Sequence, residues 1–233
     1  DNTIGFYLHN IKALFRKGCR EMGLELPCPF RDISIKTEKT LKRSLDPVVI
    51  KTLSAIELEK DSPLSLARDI FMFSFYTRGM SFVDIALLKK RHVFPGEICY
   101  RRHKTDQLMR VGINKEISRI LERYKNVPGE YIFPLFPAER DPYAGYRNAY
   151  HRIRYSLGKI SRVIGLEFPL RLHAARQSGA TIAKVNGASV HVIGECLGHT
   201  SEKTTRIYLK ELDHSALDAV NNQVADFILA VDD

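Results

Sequence analysis

The residue types best suited to chemistry gather late in the chain. His173 and Arg176 stand three apart in Leu172-His173-Ala174-Ala175-Arg176, so on a helix they share one face. An arginine fork and an imidazole N–H aimed together can grip a phosphate. His199 follows in Leu197-Gly198-His199-Thr200, where Gly198 occupies the place at which a helix would end in a left-handed residue and leave His199 on a fixed corner. Tyr208 closes Thr204-Thr205-Arg206-Ile207-Tyr208, nine residues beyond His199. A phenol with an ordinary pKa of about 10 attacks near neutral pH only beside a base or in positive surroundings.

Helical periodicity supplies elements to hold these groups. Helices are predicted near 171–185, 189–197 and 202–207. A longer one covers about 143–164, with Tyr146, Ala149, Tyr150, Ile153, Leu157 and Ile160 inward and Gly165 as its stop. Ser62-Pro63 is an N-cap and first-turn proline opening an apolar helix to about Tyr76, and a second helix is expected from Ser81 to Lys90. Residues 96–113 change period: Ile98, Tyr100, Val111 and Ile113 alternate with other neighbours around Arg101-Arg102-His103-Lys104-Thr105-Asp106, which predicts a β-hairpin with a basic tip. A last helix is expected from about Ser215 to Leu229, with Leu217, Val220, Val224, Phe227 and Ile228 in a narrow stripe. At the other end, residues 3–22 place Ile4, Tyr7, Leu8, Ile11, Leu14, Phe15 and Met22 at helical spacing, and 26–40 carry two prolines and no helical period. The expected organisation is a helical remnant over 1–30, a linker over 31–40 and a main domain over 41–233. The expected fold class is mainly α with a small antiparallel β-sheet (α+β).

With 44% apolar and 27% charged residues, the 233-residue chain falls in the ordinary globular range, which excludes disordered and fibrous classes. Lys and Arg outnumber Asp and Glu by 36 to 27; the resulting +9 points to a polyanion, nucleic acid before membrane. No apolar run reaches the roughly eighteen residues of a membrane span. Cys19, Cys28, Cys99 and Cys196 are dispersed, which speaks against a zinc site or a disulfide framework and fits a reducing cytoplasm. No phosphate-cradling glycine loop and no carboxylate cluster at metal-ligand spacing is present, so neither nucleotide nor metal cofactor is expected. The start at Asp1, without a secretory signal, reads as a portion of a longer protein.

Together, His173-x-x-Arg176, Leu197-Gly198-His199 and Tyr208 resemble the catalytic box of the tyrosine recombinases, the phage-integrase family. The wording between them fits too: Gly179-Ala180-Thr181, Val192-Ile193-Gly194-Glu195-Cys196-Leu197 and Thr204-Thr205. The resemblance runs from about Lys42 to Leu209, and the helix at 3–22 resembles the tail of the family's core-binding domain. It implies a catalytic lysine at a hairpin turn, which Lys104 matches. The family's Gly-x-Arg-x-x-Glu aligns with Gly79-Met80-Ser81-Phe82-Val83-Asp84, so Ser81 stands in the first arginine slot and Asp84 in the acidic one. Arg78, three residues before Ser81, is the expected substitute, with Arg68 second. Some integrases of mobile elements in gut anaerobes share this Arg-Gly-Met-Ser arrangement.

The resemblance implies site-specific cleavage and rejoining of double-stranded DNA, without metal or ATP, through a 3′-phosphotyrosyl link. Tyr208 is then the nucleophile and His173 its base. Arg176, Arg78 and His199 hold the phosphate oxygens, Lys104 protonates the leaving oxygen, and Ser81 and Asp84 support them. Expected partners are DNA, copies of the chain (a tetramer on DNA, a monomer being compatible with the free state) and accessory DNA-bending proteins. Arg101, Arg102, Lys89, Lys90, Arg147 and Arg154 are expected to grip DNA phosphates. The alternative is a DNA-binding protein of the same fold, catalytically impaired by Ser81.

Overall fold

The computed structural model describes residues 2–33, 44–136, 142–199 and 201–209; for 142–144, 207 and 208 it describes the backbone alone. The chain divides into two compact units, Asp1–Leu41 and Lys42–Asp233. In the first, helix α1 (Asn2–Glu21) buries none of its side chains, and Ile4, Phe6, Tyr7, Ile11 and Leu14 lie exposed. Lys12 Nζ donates to Ile33 O at 2.8 Å, tying the helix to the segment after it.

The second unit is mainly helical with one small sheet, as expected. Its centre is α3 (Pro63–Tyr76), which starts where predicted: Ser62 Oγ accepts from the Ser65 N–H and Pro63 takes the first turn. Ala67, Ile70, Phe71, Met72 and Phe73 are buried. A helix apolar on so many sides must be covered all round. Its neighbours are α2 (Pro47–Ala55), α5 (Lys115–Arg123), α6 (Pro142–Val163) and α7 (Leu172–Val185). Helices α2 and α5 were not anticipated, although Asp46-Pro47 and Asn114 are visible N-caps, accepting from Val48 N–H and Ile117 N–H. The α3–α5 contact contains a buried carboxylate: Asp69 accepts from Arg68 Nε (2.6 Å), Arg123 Nη1 (2.7 Å) and Tyr124 Oη (2.8 Å).

The sheet has order β1-β2-β3, all antiparallel: β1 (Val93–Phe94), β2 (Glu97–Arg101) and β3 (Leu108–Gly112). Pairing Ile98 with Val111 and Tyr100 with Met109 sends those four side chains to the core and Arg101 and Arg110 outward, the period of two that the sequence carried. The helix expected over Ser81–Lys90 is cut short. Helix α4 spans only Phe82–Ala86, because Leu88 O accepts from Ile132 N–H and Lys90 N–H donates to Glu130 O. Strand-like pairing of Lys89 with Tyr131 overrides the local helical pattern there.

Helices α8 (Val190–Leu197) and α9 (Glu202–Tyr208) pack on each other and, through α8, on α7. They share a separate small core of Ala180, Ile193, Leu197 and Leu209. The helix expected over 215–229 lies outside the described residues.

Candidate active site

Two helix ends and one hairpin turn build the site. Helix α3 ends in a left-handed turn in which Gly79 N–H reaches back to Ser74 O at 2.7 Å and Arg78 takes the left-handed position, φ 60°. Helix α8 ends the same way: Gly198 has φ 62°, its N–H bonds Glu195 O, and His199 N–H bonds Gly194 O at 2.9 Å. The backbone of His199 is thus held by α8 itself, as the glycine predicted.

Arg176 sits between these two ends. It is 7% exposed, and a buried guanidinium needs acceptors on several sides. Nη1 donates to Gly79 O at 2.8 Å; Nη2 donates to Leu197 O and contacts His199 Nε2 at 3.1 Å. A Cβ on Gly79 would fall 2.5 Å from Arg176 Cγ, so no other residue lets the turn approach. His199 Nδ1 contacts Thr205 Oγ1 of α9 at 3.0 Å, and Thr205 is fully buried against Gly194. Tyr208 is the last residue of α9. At about 1.5 Å per residue its backbone lies one turn beyond Thr205; its side chain is not described.

The hairpin turn closes the site. Asp84 is buried; its Oδ2 accepts from Ser81 Oγ at 2.6 Å and its Oδ1 from the His103 N–H at 2.8 Å. Ser81, in the slot where the family has arginine, caps α4 and aims this carboxylate at the turn that carries Lys104. Arg102, expected among the DNA-gripping residues, is half-buried and its Nη1 donates to Gly198 O.

The charges of these groups act on the buried and half-buried side chains between them. Burial chiefly, then the charges of Arg176, Arg102 and Lys104, pushes His199 down to about 4. Burial raises the Tyr100 phenol well above its usual range. Asp84 adds to that rise, whereas Arg102, Arg176 and Arg78 oppose it. Arg102 and Arg176 thus bear on both His199 and Tyr100, Lys104 on His199, and Arg78 and Asp84 on Tyr100. Arg78 Nη1 also reaches Arg110 O at 3.3 Å. Arg68 is held by Asp69 and by Ile56 O (3.1 Å), in the α3–α5 contact. His173 is exposed in the first turn of α7.

The other expected DNA contacts are distributed over the surface. Arg101 is exposed and bonds Asp106 O at 2.9 Å. Lys89 Nζ pairs with Glu130 at 2.9 Å, and Lys90 Nζ donates to Val127 O. Arg147 and Arg154 are exposed on α6. Arg154 lines a shallow cleft of about 300 Å³ with His151, Tyr155, Lys159, Arg162 and Arg171. Sequence reasoning missed Gly79 O and the Thr205 hydroxyl as site groups. Thr205 carried a signal in its place three residues before the tyrosine; a backbone carbonyl carries none.

The fold is that of the tyrosine recombinase catalytic domain, and the chain belongs to the phage integrase family, whose model matches residues 44–214. The chain is 26% identical over 201 residues to the tyrosine recombinase XerC of Shewanella oneidensis, covering 84% of this chain and 62% of that protein. It is 35% identical over 94 residues to XerD of Pseudomonas putida, covering 38% of this chain and 30% of that one. It thus spans less than two thirds of the length of these curated relatives. Among solved structures, the Tn1549 transposon integrase in complex with a circular intermediate DNA superposes with TM-score 0.66 at 17% identity, covering 96% of this chain and 79% of that one. A lambda integrase dimer bound to a core site gives 0.63 at 18% identity, covering 88% and 74%.

Proposed function

We propose that this chain is the catalytic part of a site-specific DNA recombinase or integrase that cuts and rejoins strands through a 3′-phosphotyrosyl intermediate on Tyr208. The observation that carries the reading is the junction of Arg176 with His199 and the Gly79 turn, beside a lysine-bearing hairpin and one helical turn from the tyrosine's backbone. Family membership and the DNA complexes of the structural relatives support it.

In this mechanism the Tyr208 oxygen attacks the scissile phosphorus and gives its proton to His173. The bond from phosphorus to the 5′-oxygen breaks, and Lys104 protonates that oxygen, leaving a free 5′-hydroxyl. Arg176, Arg78 and His199 hold the non-bridging oxygens while charge builds on the pentacoordinate phosphorus. Ser81 and Asp84 hold the Lys104 turn. The phosphodiester's energy stays in the phosphotyrosyl link, so the reverse attack by a 5′-hydroxyl rejoins DNA without ATP, and no step calls for a metal. Double-stranded DNA is the substrate. Arg101, Arg147 and Arg154 grip its phosphates, with Lys89 and Lys90 at the domain's edge. Copies of the chain assemble on DNA as a tetramer, and accessory bending proteins shape the site. Residues 1–30 are the end of a core-binding domain.

The test uses a nicked suicide duplex built from the DNA junctions flanking the gene. A covalent adduct that Tyr208→Phe abolishes is the expected result. A second reading, a DNA-binding protein without catalysis, draws on Ser81, whose hydroxyl is occupied by Asp84 and brings no charge to a phosphate. Retained binding to those junctions with no adduct selects that reading.

A further inference from the structure

The lysine-bearing turn and the histidine-bearing corner belong to separate parts of the chain, yet any joint action on one phosphate requires a fixed spacing between them. We propose that Arg102 is a positioning residue: it clips the 102–106 turn, and with it Lys104, onto the Gly198–His199 corner. The proposal rests on the recombinase reading for its catalytic consequence only.

Arg102 is built into both pieces. Its backbone forms the turn: its N–H donates to Gln107 O at 2.9 Å, and its carbonyl accepts from the N–H groups of Asp106 (2.8 Å) and Thr105 (3.3 Å). Its side chain leaves the turn, becomes half-buried and donates from Nη1 to Gly198 O, 96 residues away. That acceptor is a carbonyl at the C-terminal end of α8. The partial negative charge there favours a cation, and the helix has no further N–H to offer it. The surfaces around the bond fit closely. A Cβ on Gly198 would meet Met109 Sδ at 3.0 Å and Gln107 Oε1 at 3.2 Å, so the hairpin's side chains already lie against the corner, and the left-handed φ of 62° is what favours glycine there.

Two clamps therefore hold the turn. Asp84 fixes His103 N–H from the α4 side, and Arg102 fixes the turn to the α8 side. With Arg102 removed, Lys104 hangs on the Asp84 clamp alone and the lysine-to-histidine spacing is no longer set. A guanidinium also donates in a fixed plane, whereas a lysine in its place keeps the charge and one rotating donor.

The experiment compares the wild-type chain with Arg102→Met and Arg102→Lys. Hydrogen–deuterium exchange on the free proteins is expected to show faster exchange in Arg102→Met at both 102–106 and 198–199, partly restored in Arg102→Lys. On the nicked duplex, the adduct-forming rate at saturating DNA should fall by about tenfold to a hundredfold in Arg102→Met, the scale of a misplaced group, with half-saturation little changed. Wild-type exchange in both segments overturns the clip. So does a loss confined to DNA affinity and its salt dependence, which would make Arg102 a phosphate contact. If the wild-type chain forms no adduct, the recombinase reading falls and the exchange data alone decide the clip.

Discussion

His199 has a defined protonation state because of what it touches. Arginine offers donors only, so the Arg176 Nη2 contact makes His199 Nε2 an acceptor. In the DNA-free chain the ring proton then sits on Nδ1 and donates to Thr205 Oγ1; to hold a phosphate oxygen the neutral ring carries its proton on Nε2 instead, with the Thr205 hydroxyl donating to Nδ1. Burial and three nearby cations push the folded-state pKa down to about 4, from an ordinary value near 6.5. Above pH 6.5 both folded and unfolded forms are neutral and the contribution to stability is full. As pH falls towards 4 the unfolded chain takes up a proton that the folded chain refuses, so stability drains away across that window. His199→Gln does not titrate. Between pH 7 and pH 4 the wild-type Tm should therefore drop by more than that of His199→Gln, as thermal melts followed by circular dichroism would show. Equal drops would mean that His199 is not held neutral.

At the scale of elements, the site is assembled from two helix ends of the same design with different residues at the left-handed position. Helix α8 uses Gly198, whereas α3 uses Arg78 at φ 60°. A non-glycine side chain in that conformation costs roughly 1–2 kcal/mol. Such strain persists where a side chain has work to do, and Arg78 bears on Tyr100 together with Arg176 and Arg102. Arg78→Gly should relieve the strain and raise unfolding stability by about 0.5–1 kcal/mol, after the extra freedom of glycine in the unfolded chain is subtracted. The same change should slow adduct formation by about a hundred- to thousandfold, the usual cost of one lost oxyanion donor. Denaturant melts and single-turnover cleavage read the two effects separately. A stable variant with wild-type cleavage would remove Arg78 from the mechanism.

For the whole molecule, the +9 charge is divided between two uses. Arg176 and Arg102 are turned inward onto backbone carbonyls and Arg68 onto buried Asp69, which exposed Arg123 also reaches. The outward share includes the α6 cleft, where Arg154, Lys159, Arg162 and Arg171 line one hollow with Tyr155. Phosphate contacts release counterions, each adding about 0.9 to the slope of log K against log salt on duplex DNA. Arg154→Ala should lower that slope by about 1 and weaken binding alike on all sequences, while the saturating adduct rate stays unchanged. Fluorescence anisotropy at several salt concentrations checks this. An unaltered slope would place the DNA backbone elsewhere.

Local sequence determined a good part of this protein. The Ser62-Pro63 cap, the stop at Gly165, the alternation through Ile98 and Tyr100, and the left-handed glycine before His199 each act over a few residues and were legible without coordinates. So was the family, whose spacing of His173, Arg176, His199 and Tyr208 survives in the linear order. Only the tertiary structure decided what depends on partners distant along the chain. It ended α4 at Ala86, because Leu88 and Lys90 pair with the 130–132 segment. It turned Arg102 inward, because a carbonyl 96 residues away lies within its reach. It gave Ser81 to Asp84 and Arg68 to Asp69, choices that charge and spacing alone leave open. A side chain's type states what it can bond; which acceptor it meets is set by how the helices pack.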